Sequence, residues 1–139
     1  MAAHPIHPAL VHFPLGLLLS ATLVDVGQLA GLWAEPRLSA LLIAGGLVGG
    51  LAAMAAGLYD FSRLTDAQVP HALRHMAAVG TAWLGYAAAL YLRRDALTGA
   101  GGPSAASLAT SIASALVLGL GGWLGGELVY RYGAGRLDS

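Results

Sequence analysis

The chain has 139 residues, seven arginines balanced by seven acidic side chains, no lysine and no cysteine. The lack of cysteine excludes disulfides, thiolate ligands, thiol catalysis and the CxxCH attachment of c-type haem. The lack of a basic cluster excludes nucleic acid as the main partner. Hydrophobic residues make up 57% of the chain and charged residues 10%, against about a quarter charged in soluble domains, which indicates a membrane protein.

Four apolar stretches are long enough to cross a bilayer, which takes roughly 20 helical residues. They lie at about 9–31, 38–59, 71–92 and 107–130. No segment between them resembles an interdomain linker. The sequence therefore predicts one all-α domain over 1–139, an integral membrane four-helix bundle with up-down-up-down topology.

The connections 34–37, 60–70 and 93–107 contain the charges and turn formers expected at a membrane surface. Four spans place both termini and the 60–70 loop on one side of the membrane, here called side A. The other two connections lie on side B. Four arginines fall on side A and three on side B, so the positive-inside rule leaves the orientation open.

Two glycine blocks, GGLVGG at 45–50 and GGWLGG at 121–126, each contain two overlapping GxxxG units. Such units let helices approach closely in lipid. The predicted helix-packing residues are Gly45, Gly46, Gly49, Gly50, Gly121, Gly122, Gly125 and Gly126. Glycine faces turned inward would favour a cofactor, whereas faces turned outward would favour partner helices. Since each block follows a histidine-bearing span, the chain is also compatible with two parallel helical hairpins, with His12 and His75 as counterparts.

Five ionisable residues fall near the side A membrane surface, and all four spans contribute to them or border them. They are His12, Asp60, His71, His75 and Glu127. Ionisable groups at membrane depth tend to face a bundle interior and to mark function. His71 and His75 share a helical face, and Arg74 beside them could reach an anionic group.

Three other ionisable residues are interpreted differently. His4 and His7 lie in a proline-rich segment and are interpreted as solvated histidines of a surface arm. Asp25 lies 13 residues beyond His12, about 20 Å further along a helix, so it cannot join the side A residues. It is interpreted as a buried polar contact or as a boundary residue at side B.

Four segments together resemble a bacterial membrane family known as domain of unknown function 2231. They are HPIHPALVHFPLGLL at 4–18, GLYDF at 57–61, the His71 and His75 pair, and GGWLGGELVYRYGAG at 121–135. The resemblance covers nearly the whole chain. It implies a multi-pass protein of the bacterial cytoplasmic membrane and supplies no reaction. Relatives of this family are fused to Rieske-type or cytochrome c domains, which implies an electron-transfer setting.

The first functional hypothesis is an electron-transfer protein that holds b-type haem through His12 and either His71 or His75. Haem needs two axial ligands from opposite sides, and a four-helix bundle can supply them. Arg74 would then meet a propionate. The expected partners are the lipid bilayer and a redox protein or a quinone.

Two further hypotheses remain open. His12, His71, His75, Asp60 and Glu127 could instead bind zinc or iron for hydrolytic or oxidative chemistry, although no HExxH unit occurs. Alternatively, the protein is a non-catalytic accessory subunit whose glycine faces hold it in a homo-oligomer or a larger membrane complex.

Overall fold

The structure of the protein is a computed structural model that describes residues 6–33 and 35–135, apart from the side chains of Ile6 and Pro8. Four long helices follow one another and no strand occurs in these ranges. The helices are α1 (Ile6–Leu29), α2 (Pro36–Phe61), α3 (Val69–Leu92) and α4 (Ala105–Tyr130), with a short 3₁₀ helix (Arg94–Thr98) between α3 and α4. The predicted all-α four-helix bundle is confirmed.

Local sequence explains where several helices begin. Proline occupies the first turn of α2 and of α3, where its missing N–H costs no intrahelical hydrogen bond. Ser104 caps α4 by accepting a hydrogen bond from the Ser107 backbone N–H at 3.2 Å. The predicted spans agree with the helices to within about three residues, which is the usual uncertainty at fraying helix ends.

Three helices in the described residues are long and apolar enough to cross a membrane, namely Ala9–Leu29, Pro36–Phe61 and Ala105–Tyr130. The span predicted at 71–92 coincides with α3, which does not reach that standard. Its first turns carry His71, Arg74 and His75, whose polar side chains lower the mean hydropathy of the helix. However, α3 packs against α4 from its histidine end to its last turn, so the two helices occupy the same depth.

The helices pair as two hairpins, α1 with α2 and α3 with α4, and pack more extensively within the hairpins than between them. Glycine makes these contacts close. A Cβ at Gly46 would lie 2.6 Å from Leu18 of α1, and a Cβ at Gly121 would lie 2.7 Å from Val79 of α3. Six of the eight glycines in the two blocks meet a neighbouring side chain in this way, whereas Gly122 and Gly126 face open space.

The two hairpins are structural repeats related by a shift of 68 residues. His7 donates to the Ala53 carbonyl and His75 to the Gly121 carbonyl, each across 46 residues of sequence. The residue numbers in these two bonds differ by 68, as do those of Asp25 and Arg93 or of Ser39 and Ser107. The counterpart of His75 is therefore His7 and not His12. Aligning the two glycine blocks gives the wrong register for the repeat. The blocks are 76 residues apart, whereas the repeat shift is 68 residues, so they are not equivalent.

The core between the hairpins takes residues from all four helices. They are Leu18, Ala21, Ile43, Leu47, Ala82, Tyr86 and Leu118. The Tyr86 hydroxyl is fully buried and shares a 2.8 Å hydrogen bond with Thr22. This core separates a polar cluster at side A from another at side B.

Candidate functional site

His7 lies in the first turn of α1 and faces the end of α2. Its Nδ1 is 2.7 Å from the carbonyl oxygen of Ala53, and a Cβ at Gly57 would lie 3.0 Å from the same nitrogen. Glycine at position 57 thus leaves the space that the imidazole occupies. Sequence reasoning placed His7 in a solvated arm, but the helix begins earlier and draws this ring against α2.

His75 has the same environment in the second hairpin. Its Nδ1 is 2.8 Å from the carbonyl oxygen of Gly121, and a Cβ at Gly125 would lie 3.0 Å from the ring. The two histidines therefore have equivalent partners on equivalent helices. His7 and His75 together are called the histidine pair below.

The hydrogen bonds of the histidine pair define which nitrogen of each ring is available. A carbonyl oxygen only accepts, so Nδ1 carries the hydrogen in both rings and a neutral imidazole then has its lone pair on Nε2. Within the described residues, neither Nε2 has a hydrogen-bond partner. An imidazole held by Nδ1–H on a backbone carbonyl is the usual state of a histidine that binds a metal through Nε2.

The histidine pair spans the bundle axis. The two ring centres are 6.3 Å apart and the ring planes are inclined at 80°. The helices that supply them lie on a diagonal, because α1 packs on α2 and α4 while α3 packs on α4 and α2. The two rings therefore meet each other across the bundle.

The structure does not bring the other predicted side A residues to this point. His12 is exposed on α1, and Arg74 is exposed on α3. The His71 ring stacks on Tyr132 with centres 3.6 Å apart, which ties α3 to the chain after α4. Glu127 pairs with Arg131 at 3.3 Å.

Asp60 is half-buried near the end of α2, where its backbone carbonyl accepts from the Arg63 N–H at 3.0 Å. Within the described ranges no three His, Asp or Glu side chains group as metal ligands, so the five-residue metal site is not assembled there. His4 lies outside the described residues.

A second polar cluster lies at side B, centred on Arg93 at the end of α3. Asp25 accepts from the Arg93 Nη1 through both carboxylate oxygens, at 2.7 and 2.6 Å, and both side chains are fully buried. The other guanidinium hydrogen bonds go to three serines of α2 and α4, namely Ser39, Ser107 and Ser111. These five residues are called the side B ionic cluster.

The side B ionic cluster connects all four helices and is fully hydrogen-bonded. No buried side-chain nitrogen or oxygen in the described part of the chain lacks a partner. A buried charge pair with every hydrogen bond made offers nothing to a ligand, and removing one member leaves the other as an uncompensated buried charge. This cluster therefore fixes how the two hairpins pair.

Sequence reasoning assigned Arg93 to the surface connection and missed its role. It treated Asp25 as a buried polar contact or a side B boundary residue, and the structure shows the first of these. The signal that could have found Arg93 is the 68-residue shift, which aligns Asp25 with Arg93 and Ser39 with Ser107. That alignment places two opposite charges at equivalent depths of two hairpins.

These features define a small integral membrane protein built as a four-helix bundle from two repeated hairpins. The family described as "Predicted membrane protein (DUF2231)" matches residues 3–138, and the chain belongs to this family. The predicted family is thereby confirmed. No curated protein and no solved structure matches the chain.

Proposed function

We propose that this membrane protein is an electron-transfer component that binds one b-type haem between His7 and His75. The observation that carries the proposal is the separation of the two rings. Their ring centres are 6.3 Å apart, so the two imidazoles are close enough to bind one shared group.

Histidine is a usual protein ligand of haem iron. The two Nε2 atoms supply the lone pairs that such an iron needs, since both Nδ1 atoms already donate to backbone carbonyls. The two imidazoles are therefore the side chains that would hold the haem.

When bound, the haem would supply a one-electron couple, and the residues of this chain would set its position and potential. His7 and His75 would hold the iron on the bundle axis. The carbonyls of Ala53 and Gly121 would fix the orientation of both rings and strengthen them as ligands through the Nδ1–H bonds. The haem would lie near side A, within reach of a carrier in the bilayer or a protein at its surface.

The finer location that we propose is the cytoplasmic membrane of a bacterium, where such a haem would accept electrons from a quinone pool or pass them to a redox protein. The six inward glycines meet side chains of neighbouring helices, so they serve the close packing of the bundle.

An absorbance spectrum tests the proposal. The protein, expressed with adequate haem supply and purified in detergent, should give a sharp α band and a shifted Soret band on dithionite reduction. His7→Ala and His75→Ala should each abolish these bands, because each removes one axial ligand. His12→Ala is the matched control on the same helix and should retain the full haem content.

A spectrum without haem bands would overturn the proposal. Full haem binding by the His7→Ala protein would overturn the assignment of the ligand. Elemental analysis for zinc, iron and copper would then identify any metal that the histidine pair binds without a porphyrin.

A further inference from the structure

A contact at the side A end of the bundle joins the start of α3 to the chain that follows α4. The rings of His71 and Tyr132 stack with their centres 3.6 Å apart and their planes inclined at 22°. The side-chain amide of Gln68 also donates a hydrogen bond to the Tyr132 carbonyl oxygen at 2.8 Å. All three residues are half-buried. Gln68, His71 and Tyr132 are called the side A clasp below.

The end of α4 fixes the position of Tyr132. Its backbone N–H donates to the Glu127 carbonyl at 3.2 Å, and the Ala134 N–H donates to the Leu128 carbonyl at 3.0 Å. Both carbonyls belong to the last four residues of α4, whose carbonyls are available for such bonds. Gly133 has a φ of 70°, a left-handed conformation that turns the chain back onto the helix. The side A clasp therefore connects α3 directly to α4.

The side A clasp lies beside His75 on one face of α3. His71 and His75 are four residues apart, so their side chains share that face and one helical turn, about 6 Å, separates them. His75 donates to the Gly121 carbonyl of α4 at 2.8 Å. The same face of α3 thus contacts the α4 segment at two successive turns. The clasp is the outer contact and His75 is the inner one.

The repeat shows that the side A clasp is particular to the second hairpin. Positions 71 and 132 correspond to Ala3 and Leu64 under the 68-residue shift. Neither side chain has a ring, so an equivalent stack cannot form in the first hairpin. The two histidines of the histidine pair have equivalent backbone partners, but the clasp adjoins only His75.

We propose that Tyr132 is a positioning residue for His75, and that the side A clasp keeps the Nε2 of this ring directed at the haem iron. The proposal rests on the proposed haem function. Without the clasp, the first turns of α3 would separate from α4 more often. The Nδ1–H bond to Gly121, which orients the ring, would then break with them, and the ligand would leave the iron more often.

The first experiment needs no haem. Diethyl pyrocarbonate acylates neutral imidazole nitrogens, and mass spectrometry after digestion of the full-length protein follows each histidine. Trypsin cleaves after Arg74, so His71 and His75 are measured on separate peptides. Tyr132→Ala removes the stack and should raise the rate at His75 by about threefold to tenfold. The rate at His7, whose hairpin lacks the clasp, should not change.

Two further variants separate the side A clasp from a general loss of folding. Tyr132→Phe keeps the ring and the stack, so the rate at His75 should equal that of the unaltered protein. Gln68→Glu removes the donor to the Tyr132 carbonyl but keeps a side-chain oxygen for the Thr65 N–H, from which Gln68 accepts at 3.0 Å. It should raise the rate at His75 without disturbing the turn before α3.

A second experiment uses the haem-loaded protein. Carbon monoxide binds a ferrous haem that has two histidine ligands only after one ligand has left the iron. The rate of carbon monoxide binding to the reduced protein therefore measures how often a ligand detaches. This rate should rise in Tyr132→Ala by a factor similar to that at His75 and stay unchanged in Tyr132→Phe.

Equal His75 rates in Tyr132→Ala and in the unaltered protein would overturn the positioning role. A similar rise at His7 would do the same, because it would indicate a loosened bundle. An unchanged rate of carbon monoxide binding in Tyr132→Ala would show that the clasp does not act on the axial ligand. In a protein that binds no haem, protection of His75 that depends on Tyr132 would retain the clasp as the determinant of the His75 position and overturn the haem function.

Discussion

The two polar clusters at opposite ends of the bundle differ in whether all of their polar atoms have a hydrogen-bond partner. At side B, Arg93 and its partners use every buried polar atom, and both charges are removed from solvent. At side A, each ring of the histidine pair makes one hydrogen bond through Nδ1 and keeps Nε2 for another group. A cluster whose polar atoms are all hydrogen-bonded stabilises the fold, whereas an imidazole nitrogen with an unused lone pair can bind a ligand.

The same contrast distinguishes the two ends energetically. Removing Asp25 or Arg93 leaves the other charge unpaired in the buried core, so the effect is on folding. Removing His7 or His75 takes away a half-buried ring with one backbone hydrogen bond, so the effect on folding is small and the effect on the proposed haem binding is large. Three predictions test this difference, from the largest expected effect to the smallest.

Arg93→Met should be the most destabilising change. It leaves the Asp25 carboxylate buried without a counter-charge, which costs about 3–5 kcal/mol of unfolding free energy. Thermal or denaturant unfolding in detergent micelles measures the loss. Arg94→Met is the control, since Arg94 is largely exposed and its removal should change stability by less than about 0.5 kcal/mol.

The double variant Asp25→Leu, Arg93→Met should recover much of the lost stability, because no uncompensated charge remains. Equal stability of Arg93→Met and the unaltered protein would contradict the structural role of the cluster.

Gly57→Ala and Gly125→Ala should disturb the histidine pair without unfolding the bundle. In either variant the new Cβ would lie 3.0 Å from an imidazole atom, so the ring must move and its carbonyl hydrogen bond weakens. Loss of such an orienting bond lowers metal affinity by about tenfold or more. Haem titration and the reduction potential measure the effect.

Gly122→Ala faces open space and should leave both quantities unchanged. Since the hairpins are repeats, Gly57→Ala and Gly125→Ala should lower haem affinity to a similar extent. An effect at only one of them would show that the two histidines are not equivalent ligands.

Tyr86→Phe should have the smallest effect of the three. It removes the 2.8 Å hydrogen bond to Thr22, which retains a bond to the Leu18 carbonyl. A loss of about 0.5–1.5 kcal/mol in unfolding free energy is expected, with no change in haem content. Tyr91→Phe, at an exposed position of the same helix, is the comparison. A loss of haem in Tyr86→Phe would mean that the core and the side A site are coupled.

Much of the architecture could be predicted because it depends on local properties. Apolar length fixed the number and bounds of the helices, and short connections fixed their alternating direction. The prediction that histidines at side A form a site stays a prediction, but the histidines proposed for that site are now His7 and His75. Helix α1 begins at Ile6, so His7 faces the bundle axis, while His12 points away from it.

The sequence by itself determined that this chain is a membrane protein of four helices and that it belongs to its family. These conclusions follow from hydropathy and from characteristic segments, neither of which depends on contacts between distant residues. Only the tertiary structure decided which polar residues meet. Asp25 and Arg93 are 68 residues apart, and so are His7 and His75. Both contacts require the two hairpins to pack side by side in one register, because that packing brings equivalent helix positions to the common axis.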